Sequence, residues 1–140
     1  MAVTGVDRRK SLQELEKEDW GDPATGVTPM ITRCLSLRRV PLKELSVDDL
    51  RLLIGQKIGS SYLVPICIEV LQDEPMIDAS FYPGDLLKSV IQLGDDFWTR
   101  HQDSLKAMRQ IIMKLQETQS DDEDIRFALE KVSHPLSGTT

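Results

Sequence analysis

Two histidines, two cysteines and several runs of carboxylates are the residues of this 140-residue chain whose types can do chemistry. A metal ligand or general base at His101 needs a partner one helical turn away. Those positions hold Phe97, Trp98, Ser104 and Leu105, which supply neither ligand nor acid. His134 stands before Pro135 near the chain end and fares no better. Cys34 and Cys67 lie in apolar helical stretches, with no C-x-x-C spacing and no His/Cys cluster beside them. They read as small buried hydrophobes in a reducing compartment. Gly55 and Gly59 have no Lys-Ser/Thr after them, so no phosphate-binding loop is present. No nucleophile–base pair or metal cluster assembles from this set. The chain therefore reads as a non-enzyme with no cofactor and no metal.

The paired acids are Asp48/Asp49, Asp73/Glu74, Asp95/Asp96 and the run Asp121, Asp122, Glu123, Asp124. Most of these groups fall at expected helix N-termini, where a negative charge offsets the helix dipole by roughly 0.3–1 kcal/mol. Capping accounts for them, and no EF-hand spacing matches. The run at Asp121–Asp124 is denser than capping needs, and it suits an acidic patch presented to a basic partner.

Helices must position these groups. Ser11 with Glu14 has capping-box spacing and opens a short helix, SLQELEKEDW, with Leu12, Leu15 and Trp20 as its apolar edge. Gly21, Asp22, Pro23 and Gly26 break it. Thr28 before Pro29 opens a second helix. It is expected to turn Met30, Ile31, Cys34, Leu35 and Leu37 inward and to leave Arg33, Arg38 and Arg39 outside or at its end. Ser46 and Asp49 open a third, within Leu45–Lys57, whose apolar face is Leu50, Leu53, Ile54 and Ile58. The fourth covers Tyr62–Leu71, capped by Ser60 or Ser61. Its β-branched residues also suit a strand, but Pro65 spoils a central strand and is tolerated in a first helical turn, which places the start near Tyr62.

Asp73, Glu74 and Pro75 stop that helix, and Phe81-Tyr82-Pro83-Gly84 forms a turn. DLLKSVIQL follows as a helix closed by Gly94. Asp95 then caps one long helix to near Thr118, with Phe97, Trp98, His101, Leu105, Met108, Ile111, Ile112 and Leu115 along its inner stripe. A last helix carries Ile125, Phe127, Ala128, Leu129 and Val132. The expected fold is all-α: one compact domain of about six or seven helices over residues 1–140, with 1–10 and 134–140 loosely packed.

Lys plus Arg number 17 against 23 Asp plus Glu, a net charge of -6 that argues against a nucleic-acid binder and fits a basic protein partner. A helix-turn-helix around Gly55–Ser61 is disfavoured, because its second helix would set Glu69, Asp73 and Glu74 against phosphates. The N-terminus has no apolar run of signal-peptide length, and no stretch approaches a membrane span, so a cytoplasmic location is expected.

LSVDDLRLLIGQKIGSSYLVP, followed by FYPGDLL, resembles the immunity proteins of bacterial contact-dependent growth inhibition (CDI) systems, most clearly from Pro41 to Leu87. The resemblance implies a non-enzymatic cytoplasmic protein that binds the C-terminal toxin domain of a cognate effector. That domain is expected to be a basic nuclease, neutralised by occlusion of its active site. The resemblance also implies that Leu50, Leu53, Ile54, Gly55, Gly59, Tyr62, Pro65, Phe81, Tyr82, Pro83 and Gly84 are scaffold. Toxin contacts are expected, from surface charge, at Asp73, Glu74 and Asp78 beside the aromatic corner and at Asp121, Asp122, Glu123 and Asp124. Tyr82 is either an anchor at that patch or a buried turn aromatic. A helical adaptor with another protein partner explains the composition equally well and lacks the motif.

Overall fold

Three capping motifs legible in the sequence set three helix starts in the computed structural model, which describes residues 6–118. Ser11 Oγ accepts the Glu14 N–H at 3.2 Å, while the Ser11 N–H donates to Glu14 Oε1 at 2.9 Å, opening α1 (Leu12–Glu16). Thr28 Oγ1 accepts from Ile31 N at 3.1 Å, and Pro29 is the first residue of α2 (Pro29–Leu37). Ser46 and Asp49 repeat the reciprocal box at the start of α3 (Val47–Gly55). Each motif satisfies backbone donors that the first helical turn leaves free.

The chain continues as α4 (Ser60–Asp73), α5 (Asp85–Ile91), α6 (Asp95–Arg100) and α7 (Gln102–Thr118), with short 3₁₀ turns at Pro23–Thr25 and Leu42–Glu44. The described residues form seven α-helices and no strand, which is the all-α fold expected. α4 is the central element: it buries Leu63, Val64, Cys67 and Leu71 and packs on α3, α5 and α7. Leu50, Leu53 and Ile54 of α3 meet it from one side, and Met108, Ile111, Ile112 and Leu115 of α7 from another. Burying each such side chain contributes about 1.5–3 kcal/mol relative to leaving it in water. Both cysteines are free and buried, and burial pushes the Cys67 thiol up to about 12, so it is inert at neutral pH.

Several expectations are corrected. The long helix from Asp95 is two helices, broken at His101, whose backbone leaves helical geometry at φ -129 and ψ 60. His101 has one partner at helical spacing and one from another helix, and neither is a metal ligand or an acid. Its ring stacks on Phe97 at 4.1 Å, Nδ1 lies 2.8 Å from the Phe97 carbonyl oxygen, and Nε2 lies 3.1 Å from Ser61 Oγ on α4. α4 starts at Ser60, with Gly59 as its cap residue, so Pro65 stands beyond the first turn. Met30 and Ile31 are exposed rather than inward. The predicted last helix and the run Asp121–Asp124 lie outside the described residues.

Arg38 departs furthest from expectation: it is 1% exposed. Nη1 donates to the Glu18 carbonyl at 3.0 Å, Nη2 pairs with Glu16, and Trp20, itself outside any helix, lies 4.1 Å from the guanidinium. Nε has no acceptor, so the charge is incompletely matched even with Glu16 present. Glu16→Ala is therefore expected to cost about 2 kcal/mol, below the usual range for breaking a buried pair because the Glu18 carbonyl and Trp20 face remain. Urea titration measures it, and a loss under about 0.5 kcal/mol, typical of exposed pairs, would contradict the buried-charge account.

Candidate partner-binding surface

A single buried carboxylate shapes the loop that carries Phe81, the most exposed aromatic among the described residues, and Tyr82. Asp85 is the first residue of α5 and is 3% exposed. Its Oδ1 accepts the Ala79 N–H at 2.8 Å, and its Oδ2 accepts those of Ser80 at 3.0 Å and Phe81 at 2.9 Å. Burial by itself would raise this carboxyl; the N–H donors of Phe81, Ala79, Ser80 and Leu86 together hold it below its ordinary value. The Gly84 N–H closes the same loop onto the carbonyls of Met76 and Ile77, both at 3.1 Å. Gly84 has φ +89, and a Cβ there would sit 2.9 Å from Met76 Cε, so the Pro83-Gly84 corner admits little else.

The loop so held projects Phe81, 71% exposed, with Tyr82 also exposed beside it. The Arg51 guanidinium lies 4.4 Å from the Phe81 ring centre. Arg51 Nε donates to Ser80 Oγ at 2.8 Å, and the Ser80 hydroxyl donates to Asp48. Asp48 also takes Arg33 of α2, at 2.8 Å, and Asp49 takes the same guanidinium nitrogen at 2.9 Å. The Ser80 hydroxyl and the Arg33 guanidinium hold the Asp48 carboxyl below its usual value. Arg33 and Arg51 are thus matched within the protein.

The acids beside the loop are not. Asp73 ends α4, Glu74 is its C-cap residue, and Asp78 pairs by backbone with Pro83. All three side chains are exposed. None has a hydrogen-bond or ion-pair partner among the described residues. Asp73, Glu74 and Asp78 are the exposed acids of this corner. Against them stand Arg51 beside Phe81 and Lys88, whose Nζ lies 5.9 Å from the Tyr82 ring centre. Three exposed acids thus face two cations, of which Arg51 is already matched by Asp48.

The residues expected from sequence therefore fall into two sets. Asp73, Glu74, Asp78 and Tyr82 sit on one exposed loop; Asp121, Asp122, Glu123 and Asp124 are not among the described residues. Phe81 and Gly55, both read as scaffold, are corrected: Phe81 is mostly in solvent, and Gly55 is a helical residue with open space around it. Sequence reading missed Asp85 as an organiser, Arg51 and Ser80. A Pro-Gly-Asp run after two aromatics was the available signal, since an aspartate that opens a helix can accept N–H groups from the chain before it.

Elsewhere, a groove of about 640 Å³ runs between α4 and α7, lined by Val6, Arg8, Ile68, Glu69, Gln72 and Asp103 among others. Arg8 and Glu69 pair across its edge, and its described lining has no histidine or cysteine. No group of three or more His, Cys, Asp or Glu suited to a metal occurs among the described residues, and no described helix is long and apolar enough to cross a membrane.

The family model described as CDI immunity proteins matches residues 14–108. That range holds α2, α3, α4, the aromatic loop and α5. The chain has no match among curated proteins or solved structures.

Proposed function

The chain belongs to the CDI immunity proteins, whose partner is a cognate toxin, and we propose that it neutralises a basic nuclease toxin domain by covering the substrate-binding face. The observation that carries this reading is the set of unpaired carboxylates, Asp73, Glu74 and Asp78, around a rigid aromatic tip. A nuclease binds phosphates with Lys and Arg, and a protein that offers carboxylates in their place competes for the same field. Three carboxylates held near one loop, on a protein of net charge -6, speed encounter with such a surface. The role is one of binding in the cytoplasm of the producing cell, with no catalysis by the chain itself. The run Asp121–Asp124 is a second source of negative charge for the same partner.

Stopped-flow association with the C-terminal toxin domain of the cognate effector tests the proposal. Wild type is expected to abolish nucleic-acid cleavage by that domain. The triple reversal Asp73→Lys, Glu74→Lys, Asp78→Lys is expected to slow association about tenfold at ~50 mM salt and to flatten its decline towards ~500 mM, as the Debye length shrinks from roughly 14 to 4 Å. A toxin domain that still cleaves nucleic acid when saturated with the protein would overturn the occlusion reading. Identical association rates for the reversal would remove these three acids from the interface.

A further inference from the structure

We infer that the toxin-facing surface is bipartite, with Phe81 as one apolar anchor, Met30 and Val27 as the other, and the Arg33–Asp48–Ser80–Arg51 network as the rigid span between them. The inference rests on the toxin-binding reading above and adds to it a surface that neither the acidic residues nor the family match assigns.

Continuity is given atom by atom. Met30 stands one turn before Arg33 on α2, so the two side chains are neighbours on the helix surface. Arg33 touches Asp48 at 2.8 Å, Asp48 takes the Ser80 hydroxyl, and Ser80 takes Arg51 at 2.8 Å. Arg51 covers one side of Phe81. Three elements far apart in the chain (α2, α3 and the loop before α5) thus present one connected face. Arg33 and Asp48 on it remain about two-fifths exposed, at 41% and 39% of their side chains.

Among the described residues, Val27, Met30 and Phe81 are left exposed. Val27 is 85% exposed and Met30 45%, although both sit beside a helix start whose neighbours Cys34 and Leu37 are buried. Isolated exposed apolar residues are ordinary on a protein surface. Here two groups are fixed relative to one another by charged hydrogen bonds, and the Phe81 end is further held by Asp85. A preformed surface loses little freedom on association, which is the condition under which a single exposed aromatic yields affinity.

The occupant is the cognate toxin domain, and the charge pattern supports that choice. The cations of the span are matched internally, so what faces outward is apolar at both ends and net anionic at the Phe81 end, where Asp73, Glu74 and Asp78 stand against Lys88 beside Tyr82. A complementary partner carries an apolar recess bordered by Lys or Arg. Substrate clefts of phosphate-binding enzymes offer that border.

The test is calorimetric titration of the cognate effector's C-terminal toxin domain into wild type, Phe81→Ala, Met30→Ala and Met113→Ala. Met113 is an exposed apolar residue of α7 in a groove lined by Gln72 and Pro75, with no residue of the Arg33–Asp48–Ser80–Arg51 span in its lining. Phe81→Ala is expected to weaken binding about thirtyfold or more, the loss typical of an interface anchor. Met30→Ala is expected to weaken it about fivefold and Met113→Ala less than about twofold, with melting temperatures preserved because none of the three side chains is buried. Wild-type binding with Phe81→Ala and Met30→Ala both within about twofold would overturn the surface and leave the toxin reading intact. Loss confined to Phe81→Ala would overturn its bipartite form. Failure of wild type to bind would overturn the toxin reading and this inference with it.

Discussion

Asp85→Ala is expected to lower stability by about 3 kcal/mol at neutral pH and to disorder the loop that carries Phe81. The three N–H groups that now point at one carboxylate would face a methyl group. A buried donor left without an acceptor costs about 1–3 kcal/mol, and here partial exposure of the loop lets water recover some of that. Asp85→Asn is expected to lose most of the same amount, because one of its two acceptors becomes a donor aimed at a backbone N–H. The pH dependence has a defined sign. The folded carboxyl titrates below its ordinary value, so the native state favours the ionised form. Its contribution is fully present above the unfolded value, about 3.9, and is lost as pH falls through the lower folded value. The stability gap between wild type and Asp85→Ala is therefore expected to be wide at pH 7 and to shrink in acid below about pH 4. Urea unfolding of both proteins across that range checks it. A gap independent of pH would mean that the carboxylate charge does not hold the loop.

Gly59→Val is expected to cost about 4 kcal/mol, whereas Gly55→Val stays within about 0.5 kcal/mol of wild type. The two glycines are four residues apart and look alike in the sequence. Gly59 has φ +65, where a β-branched residue is strained by at least about 1–2 kcal/mol. Its Cβ would also lie 2.6 Å from both terminal methyl groups of Leu12. Leu12 is fully buried and has nowhere to retreat, so the overpacking adds about 1–3 kcal/mol. Gly55 ends α3 with helical geometry and open space, and valine there is a better helix former than glycine. Chemical denaturation of the pair separates the two sources of glycine preference. Equal costs at both sites would contradict the assignment of close packing to Gly59 alone.

The helix starts were legible because a cap is a local object. Ser11 and Glu14, Thr28 and Ile31, Ser46 and Asp49 are each three residues apart, and the hydrogen bonds that define them need nothing from the rest of the chain. The inner stripe of α7 was legible for the same reason, since Leu105, Met108, Ile111, Ile112 and Leu115 repeat with the helical period and are all buried. The break at His101 was not. Phe97, Trp98 and His101 keep the period of an uninterrupted helix, and the turn is stabilised by Ser61, 40 residues away. The same holds for Arg38, whose partner Glu16 is 22 residues distant.

By itself, then, the sequence determined an all-helical acidic chain, three of its caps, a core drawn from periodic leucines and isoleucines, and a motif shared with the CDI immunity proteins. These depend on composition and on separations of three or four residues, which a helix converts directly into contact. Only the tertiary structure decided which charges are spent inside the protein and which remain for a partner. Asp48 and Asp49 are matched by Arg33, brought from α2, while Asp73, Glu74 and Asp78 find no cation among the described residues. Phe81 stands in solvent because Asp85 holds its loop outward, and Gly59 is irreplaceable because Leu12 packs against it. Pairing of charges, exposure of an aromatic ring and closeness of a buried leucine are all set by which elements meet, and elements meet through contacts between residues far apart in the chain.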